Sequence, residues 1–157
     1  MNCKGLNVIK NARGQAVPLE VFQITASAFA PTESTAIRWL GSAGVFINSR
    51  GTTIMVDPLL EDFDMPVLFD SPVLPKDVPA LDAVLITHID NDHFSRSTCK
   101  DLLGVCKAYH APEYVANEMR KEGIPDVGHG IHESFCINNI RVTLTPADHD
   151  WQNDFPE

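Results

Sequence analysis

Ala83-Val84-Leu85-Ile86-Thr87-His88-Ile89-Asp90-Asn91-Asp92-His93 is the stretch that sets both the fold and the chemistry of this chain. The four apolar residues predict a short buried strand, and the switch to His, Asp, Asn and Asp marks where that strand meets solvent. Four metal-binding side chains, His88, Asp90, Asp92 and His93, therefore fall at a strand's carboxyl end. In a near-extended chain residues two apart share a side, so His88 and Asp90 can converge on one cation, while the neighbours Asp92 and His93 diverge. A loop wrapped around two cations would give His88 and Asp90 to one and Asp92 and His93 to the other, with a water or hydroxide between them, which is a hydrolytic geometry. Asp90-Asn91-Asp92 also echoes part of a calcium loop. No Gly and no terminal Glu follow at the required offsets, so calcium is the weaker reading.

Working upstream, Ile37 and Trp39 alternate with Ala36 and Arg38, Gly41 and Gly44 bracket a turn, and Val45-Phe46-Ile47 predicts a second strand. Ser49-Arg50-Gly51 reads as a hairpin turn into Thr52 to Val56, and Asp57-Pro58 stops that strand because proline has no ladder donor. Read from the residues alone, Asp57 is either an ordinary turn former or an acceptor for the second ring N–H of a ligating histidine. Residues 1–33 carry no strong period and are expected to be an N-terminal extension with one edge strand at Leu19 to Thr25. Residues 58–79 hold several prolines, with Phe63, Met65, Leu68 and Phe69 interspersed. A long unstructured loop inside a compact domain is most often functional, and this one is expected to form a wall of the substrate cleft.

Downstream, Ser95 to Leu103 predicts a helix capped by Ser95, striped by Leu102 and Leu103 and closed by Gly104. Val105 to Tyr109 is a candidate strand. Pro112 and Glu113 open a second helix that buries Tyr114, Val115 and Met119. Gly128 to His132 reads as a loop, and Phe135 to Leu144 as a hairpin about Asn138-Asn139. Histidines outside the metal stretch, at 110, 129 and 132, are read as surface or satisfied core residues. Alternating strands and helices give an α/β domain over residues 34–157.

The 157 residues suffice for one domain with a real core, and 44% hydrophobic residues fit a soluble globular protein. A net charge of −9 repels phosphate backbones, so nucleic acid is not an expected partner. The cysteines at 3, 99, 106 and 136 show no C-x-x-C pair and no framework spacing, so reduced thiols in a cytoplasmic protein are expected, with Cys99, Cys106 and Cys136 packed in apolar surroundings. No apolar run is long enough for a membrane span. Lys4, Lys10 and Arg13 before Val17 to Ala30 imitate a signal peptide only loosely, since Glu20 and Gln23 interrupt its centre.

Thr87 to His93 also resembles the signature T-H-x-H-x-D-H of the metallo-β-lactamase-fold hydrolases, with Asp90 where that family usually has a second histidine. Ile37 to Gly44 followed by Thr53 to Pro58 is similar to the family's opening strands and Asp turn. Leu144-Thr145-Pro146-Ala147-Asp148-His149-Asp150-Trp151 is similar to the segment bringing its next histidine ligand, most closely in the lactonase and N-acyl-phosphatidylethanolamine phospholipase D-like branch. The resemblance implies an αβ/βα sandwich with the metal centre along one edge. It implies a hydrolase in which a metal-bound hydroxide attacks an ester-like bond, a lactone or phosphodiester of a small-molecule substrate. His88, Asp90 and His149 would hold one ion, Asp92 and His93 would serve the second, Asp92 would orient the hydroxide, and Asp57 would orient a ligand histidine. Zinc is the expected ion, with the carboxylate at Asp90 moving preference towards manganese or ferrous iron. The family also needs a carboxylate and a final histidine after His149, and eight residues follow it here. The expectation is the N-terminal half of such a domain, inactive alone, completed by a missing C-terminal half, a homo-oligomer or a partner chain. The other reading is a catalytically incomplete metal-binding or structural half-domain.

Overall fold

The computed structural model describes residues 11–15, 17, 20–62, 67 and 69–147. His149, Asp148 and Trp151 lie outside the described residues, as do Leu19, Phe63, Met65 and Leu68. Two glycine-bearing turns fold the first β-rich segments into an antiparallel meander, β1 (Thr35–Gly41), β2 (Gly44–Ser49) and β3 (Thr52–Val56). At the second turn Arg50 and Gly51 both take positive φ, 52° and 90°, and Asn48 Oδ1 accepts the Gly51 N–H at 3.0 Å. That backbone matches the twist of the flanking strands, which is why a hairpin forms there.

After the long loop, β4 (Ala83–Leu85) pairs parallel with β3, and β5 (Tyr109–Pro112) and β6 (Val127–His129) extend the sheet in the order β1-β2-β3-β4-β5-β6. Parallel neighbours need crossovers. Helix α1 (Arg96–Asp101) crosses from β4 to β5 and α2 (Glu113–Lys121) from β5 to β6. Ser95 caps α1 by accepting the Thr98 N–H, as its residue type predicts. A hairpin, β7 (Ser134–Ile137) and β8 (Ile140–Thr143), turns at Asn138, which takes the left-handed φ of 51°.

The six-stranded sheet has two differently covered faces. Phe46, Met55, Val84 and Tyr109 share one face and bury against Cys99 and Leu102 of the α1 region and Val115, Ala116 and Met119 of α2. On the other face Ile47, Ile54, Val56, Ala83 and Leu85 pack against Phe135, Ile137, Ile140 and Val142 of the hairpin. The molecule is thus layered as hairpin, sheet and helices. The hairpin leaves parts of this face uncovered. Ile37 and Trp39 on β1 and Val127 on β6, in register with that same face, stay 69%, 57% and 51% exposed.

Several expectations shift. Described residues 20–25 form no strand. Ile24 donates its N–H to Pro72 O at 2.7 Å, and Ala26–Phe29 is a 3₁₀ turn whose Phe29 ring lies 4.6 Å from that of Phe46. Asn48 Nδ2 fastens this segment by donating to Ala28 O and Ala30 O, so tertiary packing overrides the weak strand pattern. The strand expected at Val105 to Tyr109 starts only at Tyr109, because Cys106 makes an isolated bridge to Leu81. Val127–His129, expected partly as loop, pairs with β5 in parallel, with Gly128 lying close under the Glu113 carboxylate. Leu103 and Cys136 are exposed rather than packed. Leu103 follows the last turn of α1, and Cys136 is on the outer side of a strand whose inner residues are Phe135 and Ile137. In the long loop Leu59, Leu60, Val73 and Val78 join the core, and Phe69 packs on Trp39 at 5.5 Å between ring centroids.

Asp126, just before β6, has both carboxylate oxygens enclosed with no hydrogen-bond partner. Burial pushes its pKa up to about 7, with Arg120 opposing and Glu113 reinforcing the rise. The folded chain therefore keeps this proton at pH values where the unfolded chain, with an ordinary aspartate near pKa 4, has released it. Stability from this group is present below the unfolded pKa and is lost as pH rises through the folded value. Asp126→Asn is expected to raise the urea midpoint at pH 8 and to leave it near wild type at pH 4. A wild-type midpoint at both pH values would refute the assignment.

Candidate metal centre

Because β3 and β4 run parallel, with Val56 beside Leu85, their carboxyl ends open on the same edge of the sheet. Asp57 leaves β3 in the left-handed region, φ 45°, a conformation that Asp tolerates better than most residues. Its N–H donates to Leu85 O at 2.9 Å, which turns its carboxylate into the space beyond β4. There the carboxylate is buried and accepts three hydrogen bonds. Oδ1 takes the Thr87 N–H at 2.7 Å, and Oδ2 takes the Thr87 hydroxyl at 2.6 Å and the His93 Nδ1–H at 2.8 Å. The Thr87 hydroxyl donates its one O–H to Asp57, so its oxygen can accept from His88 Nδ1, 3.0 Å away.

For neutral rings this chain of donors assigns the proton of each imidazole to Nδ1. As neutral imidazoles, His88 and His93 would carry their proton on Nδ1 and turn Nε2 towards the carboxylates, the form in which imidazole binds metals. The two rings lie 3.8 Å apart between centroids. The Nε2 of His88 sits 3.4 Å from Asp90 Oδ2, and that of His93 3.8 Å from Asp92 Oδ2. The loop is held closed by Asp90 O, which accepts the N–H groups of His93 and Phe94 at 2.9 and 2.7 Å. Phe94, fully buried, plugs the loop into the helical side of the core.

Imidazole nitrogens facing carboxylate oxygens are the donor set of a first-row divalent ion, and they fit such an ion chemically. They do so as two pairs. Among the described residues no group of three or more His, Cys, Asp or Glu side chains is placed to hold one ion. The structure brings together His88, Asp90, Asp92, His93 and Asp57, while His149 falls outside the described residues. Thr87, the hydroxyl residue directly before the first histidine, links Asp57 to both rings, a role its place in the motif does not reveal. Ser42 was missed as well. From the β1–β2 turn, at φ 46°, its hydroxyl donates to Asp92 O at 3.4 Å.

Two further histidines, His110 and His129, are engaged elsewhere. His110 Nδ1 and His129 Nε2 are 2.9 Å apart, His129 Nδ1 is 3.2 Å from Glu133 Oε1, and Phe135 stacks on both rings. Burial, and secondarily His129, lowers the pKa of His110, so this cluster works as packing between sheet and hairpin.

Residues 36–156 match the model of the β-lactamase superfamily domain. The chain belongs to this family. A metal-dependent hydrolase (UPF0173) of Thermofilum pendens is 31% identical over 121 residues, which are 72% of this chain and 50% of that protein. Among solved structures, CmlA, a diiron β-hydroxylase from Streptomyces venezuelae, superposes with a TM-score of 0.61 at 24% identity, over 73% of this chain and 24% of that one. Igni18, a metallo hydrolase from Ignicoccus hospitalis, gives 0.53 at 18% identity, over 73% and 49%. At these identities the two structures speak for the fold alone. The chain spans between 34% and 54% of the length of the curated relatives it is compared with. The family's α/β fold, with helices outside one sheet and strands facing its inner side, is the one described above.

Proposed function

We propose that this chain carries the metal-binding part of a metal-dependent hydrolase that cleaves an ester-like bond, a lactone or a phosphodiester, with zinc as the ion and manganese or ferrous iron as the substitutes. The observation that carries this is that His88 and His93, each held at Nδ1 by Thr87 or Asp57, each bring Nε2 beside a carboxylate oxygen. His88, Asp90 and His149 would hold one ion, and Asp92 and His93 a second. A bound divalent cation supplies Lewis acidity and lowers the pKa of water from about 16 to about 7. Asp57 and Thr87 keep both imidazoles in the binding tautomer. Asp92, whose side chain is 54% exposed, would also orient the attacking hydroxide. Cytoplasmic residence belongs to the same proposal, supported by the free thiols of Cys99, Cys106 and Cys136. Among the described residues no helix is long and apolar enough to cross a membrane.

The test is elemental analysis of the full-length protein purified without added metal, followed by assays on p-nitrophenyl phosphodiesters and lactones with zinc or manganese. Bound transition metal and metal-dependent turnover are expected, and their joint absence would overturn the reading. One observation favours a second reading for the 157-residue chain by itself: no three described ligand side chains converge. It would then be a binding or structural half-domain that depends on a partner chain. Mass measurement and the same assays on this polypeptide distinguish the two.

A further inference from the structure

We infer that His110, His129 and Glu133 form a pH-operated latch that fastens the base of the β7–β8 hairpin to the sheet. The latch holds while the two rings carry at most one added proton and opens when both are protonated. His110 on β5 and His129 on β6 stand on the face that the hairpin meets, and Phe135 of β7 stacks on both, at 4.4 and 3.9 Å between centroids. The centroids of the two imidazoles are 5.2 Å apart and their facing nitrogens 2.9 Å, so the rings meet end to end. Only one proton fits between nitrogens placed in that way. At its other end His129 meets Glu133 Oε1 at 3.2 Å, and the Gly130 N–H steadies that carboxylate by donating to Oε2 at 2.8 Å.

With both rings neutral, His129 can donate to Glu133 from Nδ1 and accept at Nε2 from His110 Nδ1. One further proton leaves these contacts in place, because a single hydrogen still bridges the pair. A second sets N–H against N–H and one imidazolium against another, with Phe135 over both rings and His129 only 5% exposed. Imidazoles coupled in this way titrate in two steps, the second below the ordinary range. Burial, and then His129, holds His110 below the usual imidazole value, while the Gly130 N–H, and then His129, keeps the Glu133 carboxyl below its own. The unfolded chain protonates both rings near pH 6.5, about the value of a free imidazole. Stability from the latch is therefore present above that pH and is lost as pH falls through the second step. Other titratable groups near the pair are Glu113 of α2, under Gly128 and bonded to Arg120 at 3.1 Å, and the exposed His132, while β4 presents Leu85. The tip of the hairpin is fastened differently. Asn138 Nδ2 donates to the Thr52 hydroxyl, which donates to Asn139 Oδ1, both at 3.3 Å, and neither bond titrates. Acid thus frees the base and leaves the tip anchored. The freed base is the end from which Leu144 leads on to His149.

The experiment follows amide hydrogen exchange in the full-length protein at pH 7.5 and pH 5.0, each rate corrected for its intrinsic pH dependence. The base amides of His132 and Leu144, which pair across the hairpin's open end, are expected to exchange at least tenfold faster at the lower pH. Those of Ile137 and Ile140 beside the tip should change less than twofold. His110→Phe keeps a ring beside Phe135 and removes one proton site, so it should abolish the acid response. His129→Gln, which can still bond Glu133 and His110, makes the same test should the first variant fail to fold. An NMR titration of the imidazoles should show two separate steps for the pair. Base amides indifferent to pH, equal acceleration at base and tip, an acid response that survives in the folded variants, or both rings titrating together at the ordinary value would each overturn the latch.

Discussion

Asp57→Asn is expected to lower zinc affinity about 10- to 100-fold, the range seen when the partner that orients a ligand histidine is lost. Asparagine tolerates the positive φ at this position, so the substitution isolates the hydrogen bonds from the backbone. An amide can keep one carbonyl acceptor for the Thr87 N–H. It then turns an NH₂ towards the Thr87 hydroxyl and His93 Nδ1, both of which are donors in the native arrangement. The escape for His93 is to move its proton to Nε2, the atom that should face the ion. Nitrogen-detected NMR of the imidazoles would show that tautomer change directly, and a chelator competition would give the affinity. Folding stability should also fall, by about 1–3 kcal/mol, for leaving buried donors unpaired. An unchanged His93 tautomer together with unchanged zinc affinity would remove Asp57 from the site.

Asp92→Ala should reduce hydrolysis by the full-length protein to background while the fold persists. The two effects separate because they come from different atoms. The carboxylate is half exposed and makes its approach to His93 Nε2 at 3.8 Å, whereas the structural tie of this residue is its backbone carbonyl, held by Ser42. Exposed side chains of this kind usually change stability by no more than about 0.5 kcal/mol. A thermal midpoint close to wild type with no turnover is the expected pair of results. Turnover near wild type would refute the role given to Asp92.

Both predictions depend on a site that was legible in part. The strand at Ala83–Leu85, the cap at Ser95, the meander between Thr35 and Val56 and the hairpin at Asn138 follow local rules of apolar periodicity, capping and turn chemistry, and the structure has all of them. What escaped was set by partners distant in sequence. β6 pairs with the edge that β5 offers, which a short Val-Gly-His segment does not announce. The segment near Ile24 forms no strand because Asn48 and Pro72 claim its neighbourhood.

From its sequence alone the chain has its α/β class and the cluster of imidazole and carboxylate groups at a strand's end, because adjacent residues must leave a strand together whatever surrounds them. Tertiary structure alone decided how those groups are presented. Asp57 reaches Thr87 and His93 across 30 and 36 positions only because β3 and β4 lie side by side, and a hydrogen-bond chain over such separations has no trace in local pattern. The same holds for Trp39, whose alternation along β1 places it on a face but whose indole is fixed by a turn and a loop that meet it in space.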